Sequence, residues 1–197
     1  GRRAWWFGAV AGIVLVGLGV VLVSVFLPGM LSRSDPDTTE ARPPADVTPP
    51  IEAQRTIQAT VFYLSADRTA LVAVSRDVVF GATRVLQARR IVEAQVAAPP
   101  EGHASTIPAG TTVRSVFVTA DGRAFVDLGG TIVTGHAGGS LNEALTVYAL
   151  VNSLTVSLPD VTSVQILVDG VEVDSLTGHL DLRSPLGRSL RWIQQGQ

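Results

Sequence analysis

Residues 4–27 form an uninterrupted apolar stretch in which no side chain is charged, AWWFGAVAGIVLVGLGVVLVSVFL. At about 1.5 Å per residue a helix of this length covers about 36 Å, enough to cross the ~30 Å hydrocarbon core of a bilayer. A core helix of a soluble domain would normally have a polar face, which this stretch lacks. The pattern therefore predicts one transmembrane helix.

This apolar stretch has the features of a retained anchor. A cleavable signal peptide has an apolar region of about 7–15 residues and a small-residue cleavage site, whereas this stretch is longer and ends in V-F-L-P-G. The chain has no cysteine, so it offers no site for a lipid-modified cysteine anchor. We expect residues 1–27 to form a cytoplasmic stub and a single-pass transmembrane helix.

The flanking residues bear on the orientation of this helix. Arg2 and Arg3 precede it, but two further arginines follow it closely, so the arginine count alone leaves the orientation open. Long carboxy-terminal domains are translocated largely regardless of their charge. We therefore expect a cytoplasmic amino terminus and an extracytoplasmic carboxy-terminal domain, held at the cell membrane.

Residues 28–55 form a polar segment that holds six of the 11 prolines of the chain. Because this segment has few large apolar side chains to bury, it is predicted to be an extended linker that separates the domain from the bilayer. Proline-rich segments also bind aromatic grooves of partner proteins, and that alternative stays open.

From residue 56 the pattern becomes that of a compact domain, which we expect to end near residue 186. Runs rich in β-branched and aromatic residues alternate with turn residues, and Asp-Gly between apolar runs is a strong hairpin signal. Two amphipathic segments are typical of helices. The predicted strands cover residues 56–64, 70–79, 112–119, 123–128, 164–168 and 171–173, and the predicted helices cover residues 82–97 and 141–158.

The second predicted helix begins at S-L-N-E, residues 140–143, which fits a capping box. In that motif Ser140 would cap the helix and Glu143 would reach back to the cap. Both helices have a face that we expect to pack on the core. The side chains expected on these faces are Val85, Leu86, Ile91, Val92 and Val96, and Leu141, Leu145, Tyr148, Val151 and Leu154.

The order hairpin, helix, hairpin, helix, hairpin predicts an α+β domain with an antiparallel sheet and two helices on one face. Residues 129–139, between the second hairpin and the second helix, are glycine-rich and are predicted to be a loop. Residues 177–197 have weak periodicity and are predicted to pack along the domain edge or to fray, with residues 187–197 as a carboxy-terminal tail.

Charge and motifs limit the chemistry that the domain is expected to perform. The net charge is -2, and no stretch has the density of positive charge that nucleic-acid binding requires. His103, His136 and His179 lie in predicted loops without metal-ligand spacing, and no G-x-S-x-G or phosphate-binding G-x-x-x-x-G-K-[ST] motif occurs. We expect no catalytic residues, no metal and no cofactor. The aspartates expected to stabilise turns are Asp67, Asp121 and Asp169.

The second half of the chain resembles a known family. The runs VFVTADGRAFVDLGG (116–130) and LNEALTVYALVNSLTVSLPDVTSVQILVDGVEVDSLTGHLDL (141–182) are similar to the GerMN, or sporulation and spore germination, domain family. The resemblance extends over residues 56–186. The matching residues to which it assigns a structural role are Glu143, Tyr148, Asn152, Asp169, Gly170, His179 and Asp181.

This resemblance implies a non-enzymatic domain of bacterial envelope proteins, with a fold like the ring-building folds of secretion and sporulation assemblies. Members are commonly held by a lipidated cysteine, in place of which this chain has its predicted transmembrane helix. The implied partners are other envelope proteins or a second copy. A G-x-x-x-G at Gly8 and Gly12 in the predicted anchor would let two helices approach closely.

Three hypotheses for function follow from the sequence. The first is a membrane-anchored envelope protein whose GerMN domain acts as a structural or interaction module, in sporulation, germination or cell-wall-associated assemblies. The second is an extracytoplasmic module that binds cell-wall glycan, and so peptidoglycan, through residues 129–139. The third is an enzyme, which the motifs support least. For Asn152, a buried amide would tie its helix to the sheet, and an exposed one would mark a contact surface.

Overall fold

The computed structural model describes residues 55–194. The predicted membrane helix at 4–27 and nearly all of the predicted linker at 28–55 lie outside the described residues, so both stay predictions. Among residues 55–194, no helix has both the length and the apolar character that crossing a membrane requires.

The domain begins with a hairpin that forms a sheet of its own. Strands β1 (Thr56–Leu64) and β2 (Leu71–Val79) pair antiparallel without a break in register. Their turn is stabilised by Asp67, whose carboxylate accepts hydrogen bonds from the hydroxyls of Ser65 and Thr69. The predicted single sheet is therefore wrong, because this hairpin stands apart from the remaining strands.

The second sheet contains five strands and is mixed. They are β3 (Val113–Val118), β4 (Arg123–Leu128), β5 (Ser163–Val168), β6 (Val171–Glu172) and β7 (Leu186–Gly187). The order is β3-β4-β5-β6, with β7 also paired to β5. The hairpins β3–β4 and β5–β6 are antiparallel as predicted, but β4 and β5 run parallel. A helical crossover joins β4 to β5, and such a crossover lets neighbouring strands run in the same direction.

Three α-helices occur in the described chain: α1 (Arg84–Val96), α2 (Thr131–Thr134) and α3 (Ser140–Ser157). A 3-10 helix follows at Leu190–Trp192. The short α2 lies inside residues 129–139, where the sequence predicted only a loop. The predicted capping box is also wrong. Gly139 occupies the cap position with φ 85°, a left-handed conformation that glycine adopts readily, and Ser140 already lies in the helix.

The core lies between α1, α3 and the second sheet. It includes Ile91 of α1, Leu150 and Leu154 of α3, Val126 of β4 and Ile166 of β5, each at most 2% exposed. The buried faces of the two long helices differ in part from the prediction.

Leu86 and Leu141, both expected in the core, are 38% and 40% exposed. The buried face of α1 contains Ala88, Ile91 and Val92, and it begins and ends with two polar residues, Gln87 and Gln95. These two amides turn inward because their side chains bind backbone groups of the first hairpin and its end.

Candidate functional site

Glu143 lies in the first turn of α3 and is fully buried. Its carboxylate accepts hydrogen bonds from the backbone N–H groups of Leu176, Thr177 and His179, at 2.8, 3.1 and 2.9 Å. The Thr177 hydroxyl donates a fourth at 2.8 Å, and His179 Nδ1 lies 3.2 Å from Oε2. The side chain therefore fastens the chain after β6 to the start of α3.

The same contacts fix the charge of Glu143. Burial by itself would raise the pKa of the carboxyl group, but the hydrogen bonds from Thr177, His179 and Leu176 outweigh it and lower the pKa to about 2. The group is thus ionised at neutral pH, and its oxygens are occupied. It has no proton to give and no free lone pair for a substrate, so its contacts are those of a structural group.

Asn152 and Tyr148 fasten the segment 188–194 to α3. Asn152 Nδ2 donates to the carbonyl of Ser189 at 2.9 Å, and the Ser189 N–H donates to Asn152 Oδ1 at 3.0 Å. The Tyr148 ring stacks on Trp192 with centroids 5.8 Å apart. Asn152 is fully buried, so its amide ties α3 to the carboxy-terminal segment, where the sequence suggested the sheet.

Asp169 and Gly170 form the turn between β5 and β6, and both bind groups outside it. The Gly130 N–H donates to Asp169 Oδ1 at 3.2 Å, and the Gly170 N–H donates to Asp127 Oδ1 at 2.8 Å. The Arg114 guanidinium forms ion pairs with both carboxylates: Nε lies 3.1 Å from Asp127 Oδ2, and Nη1 lies 3.6 Å from Asp169 Oδ1. This network joins the ends of β4 and β5 to the chain before α2.

Asp181 is exposed and makes only local contacts. Its carboxylate accepts from the Arg183 guanidinium at 3.0 and 2.7 Å and from the Arg183 N–H at 3.0 Å. The side-chain hydrogen bond, supported by the backbone one and by the charge of Arg183, lowers the pKa of Asp181 to about 2.

The seven residues to which the sequence assigned a structural role thus hold chain segments together at separate places in the domain. The structure brings together Glu143 and His179, and it places Tyr148 and Asn152 along one segment. It does not unite the seven in one pocket. Their side chains hold chain segments in place, and none of their arrangements contains a nucleophile paired with a base.

His136 has both ring nitrogens occupied. The Gly138 N–H donates to Nδ1 at 2.9 Å, so Nε2 carries the proton and donates to the Thr146 hydroxyl at 3.0 Å. Thr146 in turn donates to the carbonyl of Thr106 at 2.8 Å. Burial lowers the pKa of His136 below its usual 6.5, although the charge of Glu143 opposes this shift. The ring is therefore neutral and fixes the chain before α3.

The other histidines do not join His136. His103, His136 and His179 line three different depressions. In the part of the chain that the structure describes, no three acidic or histidine side chains are grouped so as to hold a metal ion.

Two depressions share Leu64 and Arg68, and one of them reaches the predicted loop at residues 129–139. One has a volume of about 180 Å³ and includes His136 and Ala137. The other has a volume of about 520 Å³ and includes His103. Among the described residues that line them there is no Phe, Tyr or Trp, the side chains on which sugar rings usually stack.

The comparisons with known proteins agree with the fold. The family model for sporulation and spore germination, named Germane, matches residues 60–174. The chain belongs to this GerMN family. No curated protein matches the chain.

Two solved structures of the sporulation protein GerM from Bacillus subtilis resemble the GerMN domain. The first GerMN domain of GerM is 19% identical, with 68% of this chain and 98% of that chain covered and a TM-score of 0.53. The tandem GerMN domains of GerM are 18% identical, with 68% and 46% covered and a TM-score of 0.52. This chain therefore spans less than half of the tandem structure. At these identities the likeness shows the fold alone.

The GerMN model match ends before the last of the predicted motif residues. Glu143 lies inside residues 60–174, whereas its partners Leu176, Thr177 and His179 follow that range. The described residues 187–194, predicted to be tail, contact α3 through Asn152 and Tyr148. In this chain the family fold is thus completed by residues beyond the matched span.

Sequence reasoning missed two residues that matter for contacts. Gln95 lies on the buried side of α1 and binds β1, and a glutamine among apolar helix positions was the available signal. Phe117 is 58% exposed on β3, directly opposite Phe125 on β4. The two-residue period of a strand was the available signal, because it places Phe117 on the face opposite Val116 and Val118, which are buried.

Proposed function

We propose that this protein is a membrane-anchored, non-catalytic envelope protein whose GerMN domain binds other proteins. The observation that carries the proposal is the use of its polar groups. Internal hydrogen bonds occupy the polar side-chain groups of Glu143, Asn152 and His136. Phe117, by contrast, is exposed on the second sheet. An exposed aromatic side chain supports binding, because aromatic residues are enriched at protein interfaces.

The sequence and the family supply the setting of this proposal. The uncharged stretch 4–27 and the proline-rich stretch 28–55 support a domain held outside the cell membrane by a single anchor. The family description supports a role in sporulation, germination or a related envelope assembly.

The membrane arrangement is tested by labelling single cysteines in whole cells. The chain has no cysteine, so one introduced at a time gives an unambiguous signal. A membrane-impermeant maleimide should label Ser175→Cys in intact cells, but Gly1→Cys only after permeabilisation. Labelling in the reverse order would contradict the proposed orientation, and loss of the chain from the membrane fraction would contradict the anchor.

The binding role is tested by isolating the full chain from its own membranes after chemical crosslinking. Phe117→Ser should lose the envelope proteins that the natural chain retains, because it removes the exposed ring. Phe80→Ser is a matched control, since Phe80 is 40% exposed but lies after the first hairpin. Equal recovery of the same proteins with both variants would overturn the assignment of Phe117.

Glycan binding is the second candidate function, supported by the depression beside His136 and Ala137. Its volume of about 180 Å³ is below the ~300–1,000 Å³ of typical ligand pockets, and its described lining has no aromatic platform. Co-sedimentation of the chain with purified peptidoglycan separates the two candidates. We expect no saturable binding, and saturable binding abolished by Arg68→Ala would favour the glycan function.

A further inference from the structure

The outer edge of β2 carries backbone groups that point away from the hairpin. On β1 the backbone of Thr60 bonds to Ser157 and that of Phe62 bonds to Gln95, so both point away from β2. Residues opposite each other in an antiparallel pair share this orientation. Their partners on β2 therefore also direct N–H and C=O outward. The outward residues of β2 are Ala73 and Ser75 and, by alternation, Asp77.

Side chains bind the edge of β1 and the first two residues of β3. Gln95 and Ser157 occupy the edge of β1, and Arg89 donates to the carbonyls of Val113 and Arg114 at the start of β3. Within residues 55–194 the outer edge of β2 receives a backbone hydrogen bond only at its first residue, Leu71, from Gln194.

No feature of β2 prevents a further strand from pairing with this edge. Natural proteins protect exposed edges with proline, bulges or charges, yet β2 has no proline and its register is unbroken. Its two charges are engaged within the domain. Arg76 donates to the Tyr63 hydroxyl at 2.7 Å and the Ala94 carbonyl at 3.0 Å, and Asp77 binds Gln58. Beyond Leu71 this edge is thus regular, and no backbone group of residues 55–194 pairs with it.

We propose that β2 pairs antiparallel with β2 of a second copy of this chain, with Ser75 on the two-fold axis. Ser75 is the midpoint of the strand Leu71–Val79, so this register gives the greatest overlap. It places Arg76 opposite Val74 and Asp77 opposite Ala73. No like charges face each other, whereas an axis at Arg76 or at Asp77 would oppose two identical charges.

The bond from Gln194 at Leu71 confines the pairing to the middle of the strand. Residues 73–77 of each copy then exchange roughly six backbone hydrogen bonds. Such an edge is small compared with the ~1,600 Å² of a standard interface, so the dimer is reversible and depends on local concentration. The inference goes beyond the proposed function, because its partner is a second copy and its surface does not include Phe117.

The test is disulfide crosslinking of the full chain in membranes. In the proposed register the two Ser75 Cα atoms lie about 5.5 Å apart, within the range of a disulfide. Ser75→Cys should form at least tenfold more covalent homodimer under mild oxidation than Ser115→Cys, an exposed serine on β3. Equal dimer from both variants would overturn the proposal, because it would reflect association elsewhere, such as in the anchor.

The register has its own test. Two differently tagged copies, one Ala73→Cys and the other Asp77→Cys, should crosslink to each other several-fold more than either does to itself. A preference for the identical pairs would overturn the axis at Ser75. A Ser75→Cys adduct with another protein and no homodimer would overturn the second copy as partner. These results do not depend on whether Phe117 binds a partner, so the two proposals fail separately.

Discussion

Gln95 binds both backbone groups of Phe62. The Phe62 N–H donates to Gln95 Oε1, and Gln95 Nε2 donates to the Phe62 carbonyl, each at 2.7 Å. The Ser153 hydroxyl lies 2.7 Å from the same Oε1, so one amide joins α1, β1 and α3. A side chain thereby takes the place of a neighbouring strand at the inner edge of the first hairpin.

Replacing Gln95 with leucine should destabilise the domain by about 3 kcal/mol, because the buried N–H and C=O of Phe62 would lose their partners. The measurement is urea unfolding of the full chain in detergent, followed by circular dichroism. Gln58→Leu is the matched control on β1, since Gln58 is exposed. A loss below about 0.5 kcal/mol for Gln95→Leu would show that the edge does not need this amide.

Glu143 should make stability depend on acid. Its pKa is about 2 in the folded chain against 4.5 ordinarily, so its stabilisation is complete above pH 4.5 and is lost as the pH falls towards 2. Glu143→Gln should cost roughly 2 kcal/mol at pH 7 and flatten this dependence. Unfolding midpoints between pH 7 and pH 2.5 give the comparison. Glu172→Gln, at an exposed position, should retain the natural profile; an unchanged profile in Glu143→Gln would contradict this role.

Asn152 should control access to the carboxy-terminal segment. In Asn152→Ala the backbone of Ser189 loses both hydrogen bonds, so the segment should open more often. Trypsin should then cleave after Arg188 and Arg191 several-fold faster under native conditions. Asn142→Ala, an exposed position on the same helix, should cleave at the natural rate. Identical rates for both variants would mean that the amide does not hold the segment.

His136 should titrate below pH 6.5. The folded chain favours its neutral ring, so its contribution to stability is present above pH 6.5 and declines as the pH falls through the lowered pKa. Protonation would put a proton on Nδ1, which could then no longer accept from the Gly138 N–H. Nuclear magnetic resonance of the ring and of the Gly138 amide should give one shared midpoint below 6.5. A midpoint at or above 6.5 would contradict the burial of a neutral ring at this position.

The sequence predicted the positions of the main strands and helices, because these depend on the local pattern of residues. Runs of β-branched and aromatic residues between turn residues located the first six strands but not β7, and apolar periodicity located α1 and α3 to within two residues. It could not predict the parallel pairing of β4 and β5, because strand direction depends on where the crossover packs. The role of Glu143 was missed for a similar reason. A capping box and a buried carboxylate look alike until residues 176–179, more than 30 positions later, are brought to it.

Photo-crosslinking from position 117 in living cells tests most directly whether the domain acts by binding. A photoreactive phenylalanine at Phe117 should give a discrete adduct with an envelope protein, and the same group at the exposed hairpin residue Thr69 should not. No adduct at either position, together with release of soluble products from isolated cell envelopes by the purified full chain, would contradict the account.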